Sequence, residues 1–288
     1  MNESKPFSLR IFVVDGDPDG LRLVERSNWV GKAMIFPRTL LPKIKQRVEL
    51  TQTGVYLLLG PRENGEGEML YVGEGDPVLP RLQDHFAKKD FWNRAVCFVA
   101  APGQLNKAHV QFLEASLIRL AKSAKRLPLD NANQPAEPSL SEADRADMQV
   151  FLGNVLGMLP VLGIHAFEQA AAAPAATTKT ILTCKGKGVV ATGYEATQGF
   201  VVSKDSQAVG ESVPSMQQHV RGMYELRQEL IMNGVLHRDG NHYRFVQDYV
   251  FSSPSTAAAV VLGRSANGRI EWKNSAGRTL KELQVQEL

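Results

Sequence analysis

Polar side chains that could act on a phosphodiester are concentrated in YVGEGDPVLPRLQDH, residues 71–85. Tyr71 closes an apolar run, Arg81 follows ten residues later, and His85 lies four residues beyond Arg81. A spacing of four places two side chains on the same face of a helix, so Arg81 and His85 are predicted to be neighbours. The alternative is an ordinary solvent-exposed helix after a hairpin, and the surrounding residues must distinguish the two.

A second tyrosine belongs to the strand that precedes this stretch. In GVYLLLG, residues 54–60, alternate aliphatic side chains share one face of a predicted strand and leave Tyr56 on the other. In MLYVG, residues 69–73, the same alternation separates Tyr71 from its aliphatic neighbours. A hairpin of the two strands therefore presents both tyrosines on one side. The alternative is a cross-strand aromatic pair that only stabilises the sheet.

A carboxylate interrupts the apolar stripe of the long helix predicted over LNKAHVQFLEASLIRLAKSAKR, residues 105–126. Glu114 lies inside that stripe, where burial costs several kcal/mol unless a cation or hydrogen-bond donors meet the charge. A hard divalent metal ion, which prefers oxygen ligands, would meet it. A structural ion pair with an arginine is the alternative. The stripe itself consists of Val110, Leu113, Leu117, Ile118 and Ala121.

Together, these strands and helices resemble the signature of the GIY-YIG nuclease family. The resemblance covers about residues 50–135 and has five elements in the family's order. The spacing of fifteen residues between the tyrosines is longer than usual, which we assign to the ENGEGE segment. The matching residues are GVY (54–56), YVG (71–73), Arg81 and His85 for the helix motif, Glu114 for the metal-binding glutamate, and Asn131 for the asparagine that follows it, with Asn133 as the alternative.

The resemblance implies metal-assisted hydrolysis of a phosphodiester bond in DNA, leaving a 5′-phosphate and a 3′-hydroxyl. It implies that Glu114 holds one Mg²⁺ or Mn²⁺ ion per site, and that Arg81 stabilises charge on the phosphate in the transition state. It also implies that Tyr56 orients or deprotonates the attacking water. The other members of the implied catalytic site are Tyr71, His85 and Asn131.

Two further functions are compatible with the same residues. The first is a DNA-binding protein that keeps the fold but does not catalyse hydrolysis. The second is a nuclease that acts on RNA, because phosphodiester chemistry does not distinguish the sugar. The leading hypothesis remains a DNA endonuclease in repair, restriction or defence against mobile elements.

The fold class predicted from these patterns is α+β. We expect a small central antiparallel sheet flanked by helices, followed by a second, smaller α+β domain. EQAAAAPAATTKT is low in complexity and has no apolar period, which is typical of a linker. The predicted segments are an N-terminal strand and helix extension (1–49), the nuclease-like core (50–135), a helical extension (136–167), the linker (168–180) and the C-terminal domain (181–288).

The C-terminal domain contains a second set of candidate contacts with nucleic acid. FSSPSTAAAVVLGRSANGRIEWK, residues 251–273, resembles a small domain often appended to bacterial GIY-YIG nucleases, and domains associated with restriction enzymes and adenine methylases. Such a mixture of residues suits phosphate contact and base stacking. The alternative is an exposed turn with the tryptophan in the core. The candidate nucleic-acid-binding residues are Arg264, Arg269, Trp272 and Lys273.

Composition limits the class of protein but not the partner. The 288 residues include 43% hydrophobic and 22% charged residues, and a net charge of +3 tolerates nucleic acid without requiring it. The two cysteines, Cys97 and Cys184, are too few for a disulfide framework or a zinc site. The N-terminus has no apolar signal core, and the apolar stretch 155–167 is broken by Pro160. We therefore expect a cytoplasmic protein without a membrane span, and the sequence leaves its oligomeric state open.

Overall fold

The computed structural model describes residues 6–62, 67–168 and 180–286. The chain divides into two compact units, Met1–Glu168 and Gln169–Leu288, and each is described by itself. Both units combine helices with antiparallel sheets, so the predicted α+β class is confirmed. Most of the predicted linker, 169–179, lies outside the described residues, as does 63–66 of the ENGEGE segment. The linker therefore stays a prediction.

Unit 1 is built on a six-stranded sheet. Its strands are β1 (Leu9–Val13), β2 (Arg22–Arg26), β3 (Gly31–Pro37), β4 (Gly54–Pro61), β5 (Glu68–Gly75) and β6 (Arg94–Ala100). They pair antiparallel in the order β1-β2-β3-β6-β4-β5, so β5 is an edge strand. The sheet is larger than predicted because β3 pairs along β6 and joins the N-terminal strands to it. GKAMIFP was not predicted as a strand because both of its faces are buried, which removes the alternation of apolar and polar residues.

The helices of unit 1 begin close to where the sequence predicts. They are α1 (Leu41–Ile44), α2 (Val78–Lys88), α3 (Lys107–Ala124) and α4 (Glu142–Met158). Ser141 caps α4, and its side chain accepts a hydrogen bond from the backbone N–H of Asp144 at 3.1 Å. The sequence also offers Asp76 as a cap for α2, but the helix starts at Val78 and the Asp76 carboxylate instead accepts a hydrogen bond from the Thr53 hydroxyl at 2.5 Å.

Helices cover both faces of the sheet near β4 and β5. The aliphatic face of β4, with Val55, Leu57 and Leu59, packs in one core with the stripe of α3 and the buried residues of α4. Tyr56 belongs to a second core on the opposite face, where α2 contributes its buried residues Val78 and Leu82. The predicted separation of the two faces is therefore confirmed. Each fully buried aliphatic side chain contributes about 1.5–3 kcal/mol relative to its exposed state, so the hairpin is firmly held.

Unit 2 contains two smaller sheets. One follows the order β13-β9-β8-β7 and the other β10-β12-β11, and all pairings are antiparallel. The sequence of residues 216–236 has the pattern of one helix ending near Gly234, but the structure has two helices there, which meet at Val220. The strands are β7 (Leu182–Gly186), β8 (Val189–Ala196), β9 (Gly199–Val202), β10 (Gln207–Val209), β11 (Leu236–Asp239), β12 (His242–Phe245) and β13 (Tyr249–Phe251); the helices are α5 (Pro214–His219), α6 (Arg221–Met232), α7 (Pro254–Leu262), α8 (Gly268–Glu271) and α9 (Leu280–Gln286).

The core of unit 2 forms around α7. Ser253 caps this helix and Pro254 occupies its first turn. Every residue from Ala257 to Leu262 is buried, and Trp272 packs against Phe200 with 4.6 Å between ring centroids.

None of the helices within the described residues combines the length and the apolar character that crossing a lipid bilayer requires.

Candidate active site

Four of the predicted site residues converge beside β4 and β5. Tyr56 projects from β4, Tyr71 from the edge strand β5, and Arg81 and His85 from α2. The hydroxyl of Tyr56 and Nε2 of His85 are 2.9 Å apart. The ring of Tyr71 lies against His85 with 4.7 Å between centroids, and the two tyrosine rings are 6.4 Å apart. Side chains separated by up to 29 positions in sequence therefore form one cluster.

The glycines of the two tripeptides permit this packing. A Cβ atom on Gly73 would lie 2.4 Å from the hydroxyl oxygen of Tyr56, because the tyrosine ring crosses directly over the backbone of β5. A Cβ atom on Gly54 would lie 2.3 Å from the carbonyl oxygen of Phe98 on β6. Both distances are far shorter than any real contact of a Cβ atom. The glycines are therefore required by the close approach of Tyr56 and of the neighbouring strand.

Burial keeps the central pair of the cluster uncharged. Tyr56 is fully buried, and burial raises the pKa of its hydroxyl well above the ordinary value, with the neighbouring Tyr71 adding to the effect. Burial also lowers the pKa of His85 to about 4, and the positive charges of Arg81 and Lys89 act in the same direction. A neutral imidazole can either donate or accept through Nε2, depending on its tautomer. The pair is thus arranged to pass a proton without carrying a permanent charge.

Arg81 is the exposed member of the cluster. Its guanidinium group interacts with the hydroxyls of both Tyr56 and Tyr71 by charge and by hydrogen bonding. A guanidinium group presents several donors in a fixed plane, which matches the oxygens of a phosphate. Arg81 therefore places a permanent positive charge where solvent meets the buried tyrosine.

The outer edge of β5 is satisfied by residues that follow or belong to α3. Asn131 hydrogen-bonds the backbone of Val72 in both directions, accepting its N–H at 2.9 Å and donating to its carbonyl oxygen at 2.7 Å. The side chain thereby replaces a partner strand, whereas Asn133 is exposed. Three successive outward N–H groups of β5 are met in this way: Leu70 by the Pro128 carbonyl, Val72 by Asn131, and Glu74 by the Glu114 carboxylate.

Glu114 therefore reaches the cluster around the edge of the sheet. It is half-buried, and burial raises the pKa of its carboxyl group to about 7, with the negative charge of Glu74 as the next cause. The positive charges of Arg81 and Lys107 and the backbone N–H of Glu74 act in the opposite direction but do not cancel these effects. The carboxylate thus lacks sufficient positive charge among the described residues.

Glu74 was missed by the sequence analysis. Its Oε1 accepts a hydrogen bond from Nζ of Lys107 at 2.5 Å, whereas Oε2 is inaccessible to solvent and has no hydrogen-bond partner among the described residues. The signal was present, because Glu74 continues the face of β5 on which Leu70 and Val72 are buried. A carboxylate on such a face is as unusual as Glu114 in the stripe of α3.

The oxygen donors at this edge fit a hard divalent cation. Glu114 is short of positive charge and Oε2 of Glu74 has no partner, and Mg²⁺ and Mn²⁺ prefer carboxylate oxygens. Across the part of the chain that the structure describes, no group of three or more His, Cys, Asp or Glu side chains could hold a metal ion. An ion at this edge would accordingly keep several water ligands, as Mg²⁺ commonly does.

A charged cleft adjoins the cluster beyond Tyr71. Lys89 forms an ion pair with Asp130, and its ammonium group lies 4.7 Å from the centroid of the Tyr71 ring. The cleft has a volume of about 860 Å³, which is within the range of small-molecule sites. Its walls combine basic, acidic and apolar side chains: Pro61, Arg62, Met69, Lys88, Lys89, Asp90, Phe91, Pro128 and Asp130.

The candidate nucleic-acid residues of unit 2 are only partly suited to that role. Arg269 and Lys273 are exposed, and Arg264 is half-buried and pairs with Glu271 at 2.7 Å. The stacking role of Trp272 is wrong, because its side chain is fully buried and its indole N–H donates to a backbone carbonyl at 3.0 Å. The alternative, with the tryptophan in the core, is the arrangement observed.

Comparisons with known proteins inform on unit 2. Residues 182–284 match a family described as a domain of unknown function, DUF4357. The match includes all four candidate nucleic-acid residues of this unit and nearly all of the segment predicted as the C-terminal domain. No curated protein and no solved structure matches the chain significantly. The similarity to DUF4357 domains is thus confined to the C-terminal part of the chain.

Proposed function

We propose that unit 1 is a metal-dependent endonuclease of the GIY-YIG type that hydrolyses phosphodiester bonds in DNA. The observation that carries the proposal is the convergence of Tyr56, Tyr71, Arg81 and His85 beside the edge of β5, with the Glu114 carboxylate at the same edge. The cluster supplies a cation for phosphate, a proton path and a carboxylate for a metal ion. These are the groups that hydrolysis of a phosphodiester requires.

Arg81 is proposed to bind the scissile phosphate. It is exposed, and its guanidinium group also contacts the two tyrosine hydroxyls, which restricts where the phosphate can lie. Donors that are already in place stabilise the additional negative charge of the transition state without reorganisation. The arginine would therefore act on the rate as well as on binding.

Tyr56 and His85 are proposed to remove the proton from the attacking water. The water transfers a proton to the hydroxyl oxygen of Tyr56 while the hydroxyl proton moves to Nε2 of His85, which is 2.9 Å away. This relay avoids a free tyrosinate, which burial strongly disfavours. A bound phosphate also offsets the charge of Arg81, one of the causes of the low pKa of His85, and so makes the imidazole a better acceptor.

Glu114 is proposed to hold one Mg²⁺ or Mn²⁺ ion. An ion held there would supply positive charge to the phosphate and to the leaving oxygen. The backbone N–H of Glu74 fixes the orientation of the Glu114 carboxylate from the edge of β5. Asn131 supports the same edge, and it thereby holds the strand that carries Tyr71.

DNA is the proposed substrate, and two features are compatible with contact to the backbone of a nucleic acid. The cleft beside Tyr71 carries Lys88 and Lys89, which suits the backbone of a nucleic-acid strand that leaves the site. In unit 2, Arg269 and Lys273 are exposed and available for further phosphate contacts. The C-terminal unit would then contribute to the choice of site, whereas the reacting groups belong to unit 1.

A panel of substrates tests this proposal. The full-length protein is incubated with supercoiled plasmid, single-stranded DNA and structured RNA, in Mg²⁺ and in EDTA. We expect nicked plasmid in Mg²⁺ only, with nicks that DNA ligase reseals, because hydrolysis leaves a 5′-phosphate and a 3′-hydroxyl. Cleavage of RNA alone would identify an RNA nuclease, and binding of DNA without cleavage would identify a non-catalytic DNA-binding protein.

A further inference from the structure

Glu74 carries a carboxylate that the protein satisfies on one side only. The residue follows the YVG tripeptide and lies opposite Val55 on the neighbouring strand. Its side chain is 13% exposed and its Oε1 contacts Lys107 at the start of α3. Oε2 has no hydrogen-bond partner among the described residues and no access to solvent. A buried carboxylate oxygen in this state is unfavourable, so a missing partner is expected.

The same residue determines where Glu114 lies. The backbone N–H of Glu74 donates to the Glu114 carboxylate, which brings the two side chains together at the outer end of β5. The negative charge of Glu74 acts on the Glu114 carboxylate. Lys107 meets only one of the oxygens of Glu74, so the other oxygen has neither a cation nor a hydrogen-bond donor beside it among the described residues.

We propose that Glu74 is a second carboxylate ligand of the divalent ion that Glu114 holds. The inference rests on the proposed function, because it concerns the same ion. A hard cation such as Mg²⁺ or Mn²⁺ is commonly held by one or two carboxylates and completes its coordination with water. Oε2 of Glu74 supplies the second carboxylate oxygen, and the ion supplies the positive charge that this oxygen lacks.

A purely structural role for Glu74 predicts a different response to mutation. If Glu74 only formed an ion pair with Lys107, removal of either residue would have the same consequence. Lys107 is 54% exposed, so such a pair is expected to contribute little. If Glu74 is a ligand, the two substitutions act in opposite directions on metal affinity, because Lys107 competes with the ion for the carboxylate.

The test is calorimetric titration of Mn²⁺ into the full-length protein and its variants. The variants are Glu74→Gln, Glu114→Gln, Lys107→Met and Glu68→Gln, the last an exposed glutamate on the same strand that serves as the control. Each protein is titrated at about 0.1 M and about 1 M KCl, where the Debye length falls from about 10 Å to about 3 Å. Circular dichroism of each variant without metal verifies its fold.

We expect Glu74→Gln to weaken Mn²⁺ binding by about tenfold or more at both salt concentrations, since loss of a direct ligand is not screened. Lys107→Met should tighten binding, and Glu68→Gln should leave it unchanged. Unchanged binding by Glu74→Gln, together with loss of binding by Glu114→Gln, would overturn this inference but not the proposed nuclease. Failure of the unmodified protein to bind Mn²⁺ would overturn both.

Discussion

Replacing Glu114 by glutamine is expected to stabilise the metal-free protein at pH 8. The pKa of this carboxyl group is raised from its ordinary value of 4.5 to about 7 by burial and by Glu74. One pKa unit corresponds to about 1.4 kcal/mol, so ionising Glu114 in the folded chain costs about 3 kcal/mol without screening. Because Glu114 is only half-buried, solvent screening lowers this cost to about 1–2 kcal/mol.

The pH dependence of this gain follows from the direction of the shift. Between pH 4.5 and about 7 the folded chain keeps the proton of Glu114 while the unfolded chain releases it. Stability is therefore lost as the pH rises through this window. Glutamine cannot ionise, so the stability of the variant should equal that of the parent below pH 4.5. The difference in stability should then grow in favour of the variant as the pH rises to about 7.

Thermal unfolding in EDTA at pH 4 and pH 8 measures the effect, with Glu68→Gln as the control. A domain of this size gains about 2–4 °C per kcal/mol, so we expect an increase of about 2–8 °C at pH 8 only. Adding Mg²⁺ should stabilise the parent but not Glu114→Gln, because only the parent binds the ion. If Glu114 is instead the structural partner of Arg81, the variant should be less stable than the parent at pH 8, and that result would refute the reasoning.

Three further substitutions test other parts of the site. His85→Asn should reduce the loss of stability on acidification. The pKa of His85 is about 4 in the folded chain and 6.5 otherwise, so the parent loses stability as the pH falls from 6.5 to 4. Urea unfolding of both proteins at pH 7 and pH 4.5 measures this loss, and equal losses for the parent and the variant would contradict the prediction. Asn131→Ala should lower the free energy of unfolding by about 2 kcal/mol in the same assay, because it removes two hydrogen bonds to β5. Asn133→Ala should have almost no effect. Equal effects would argue against the role of Asn131 as the partner of β5 at the edge of the sheet. Gly73→Ala should abolish nicking in a folded protein, because the added Cβ atom would displace the Tyr56 ring. Gly153→Ala should remain active, because a Cβ atom there would have nothing within 4 Å. An active Gly73→Ala variant would show that the position of the Tyr56 ring is not critical.

Short-range patterns predicted the strands and helices that carry the site. The alternation in β4 correctly separated Tyr56 from the aliphatic face, because only one arrangement buries that face against α3. The stripe of α3 also identified Glu114 as unusual, since a carboxylate at a buried helical position needs a partner. These predictions depend on periods of 2 and 3.6 residues, which the local sequence contains.

Features that depend on distant packing were missed or predicted wrongly. β3 was missed because its apolar residues do not alternate, and only its pairing with β6 explains them. The alternation of β5 already places Glu74 on a buried face, but its unsatisfied oxygen becomes evident only once Lys107 and Glu114 are placed around the edge of β5. Trp272 was a candidate for base stacking, with a place in the core as the alternative, and its contact with Phe200, 72 positions earlier, belongs to that core.

Single-turnover nicking of supercoiled plasmid in Mg²⁺ by the parent protein and by Tyr56→Phe tests the central claim most directly. The substitution keeps the buried ring and removes the hydroxyl that contacts His85 at 2.9 Å. We predict that the parent nicks the plasmid and that Tyr56→Phe is slower by about 10²–10⁴-fold, as expected for loss of a group that transfers a proton, with unchanged DNA affinity. Equal rates for the two folded proteins, or no nicking by the parent, would contradict the proposed nuclease.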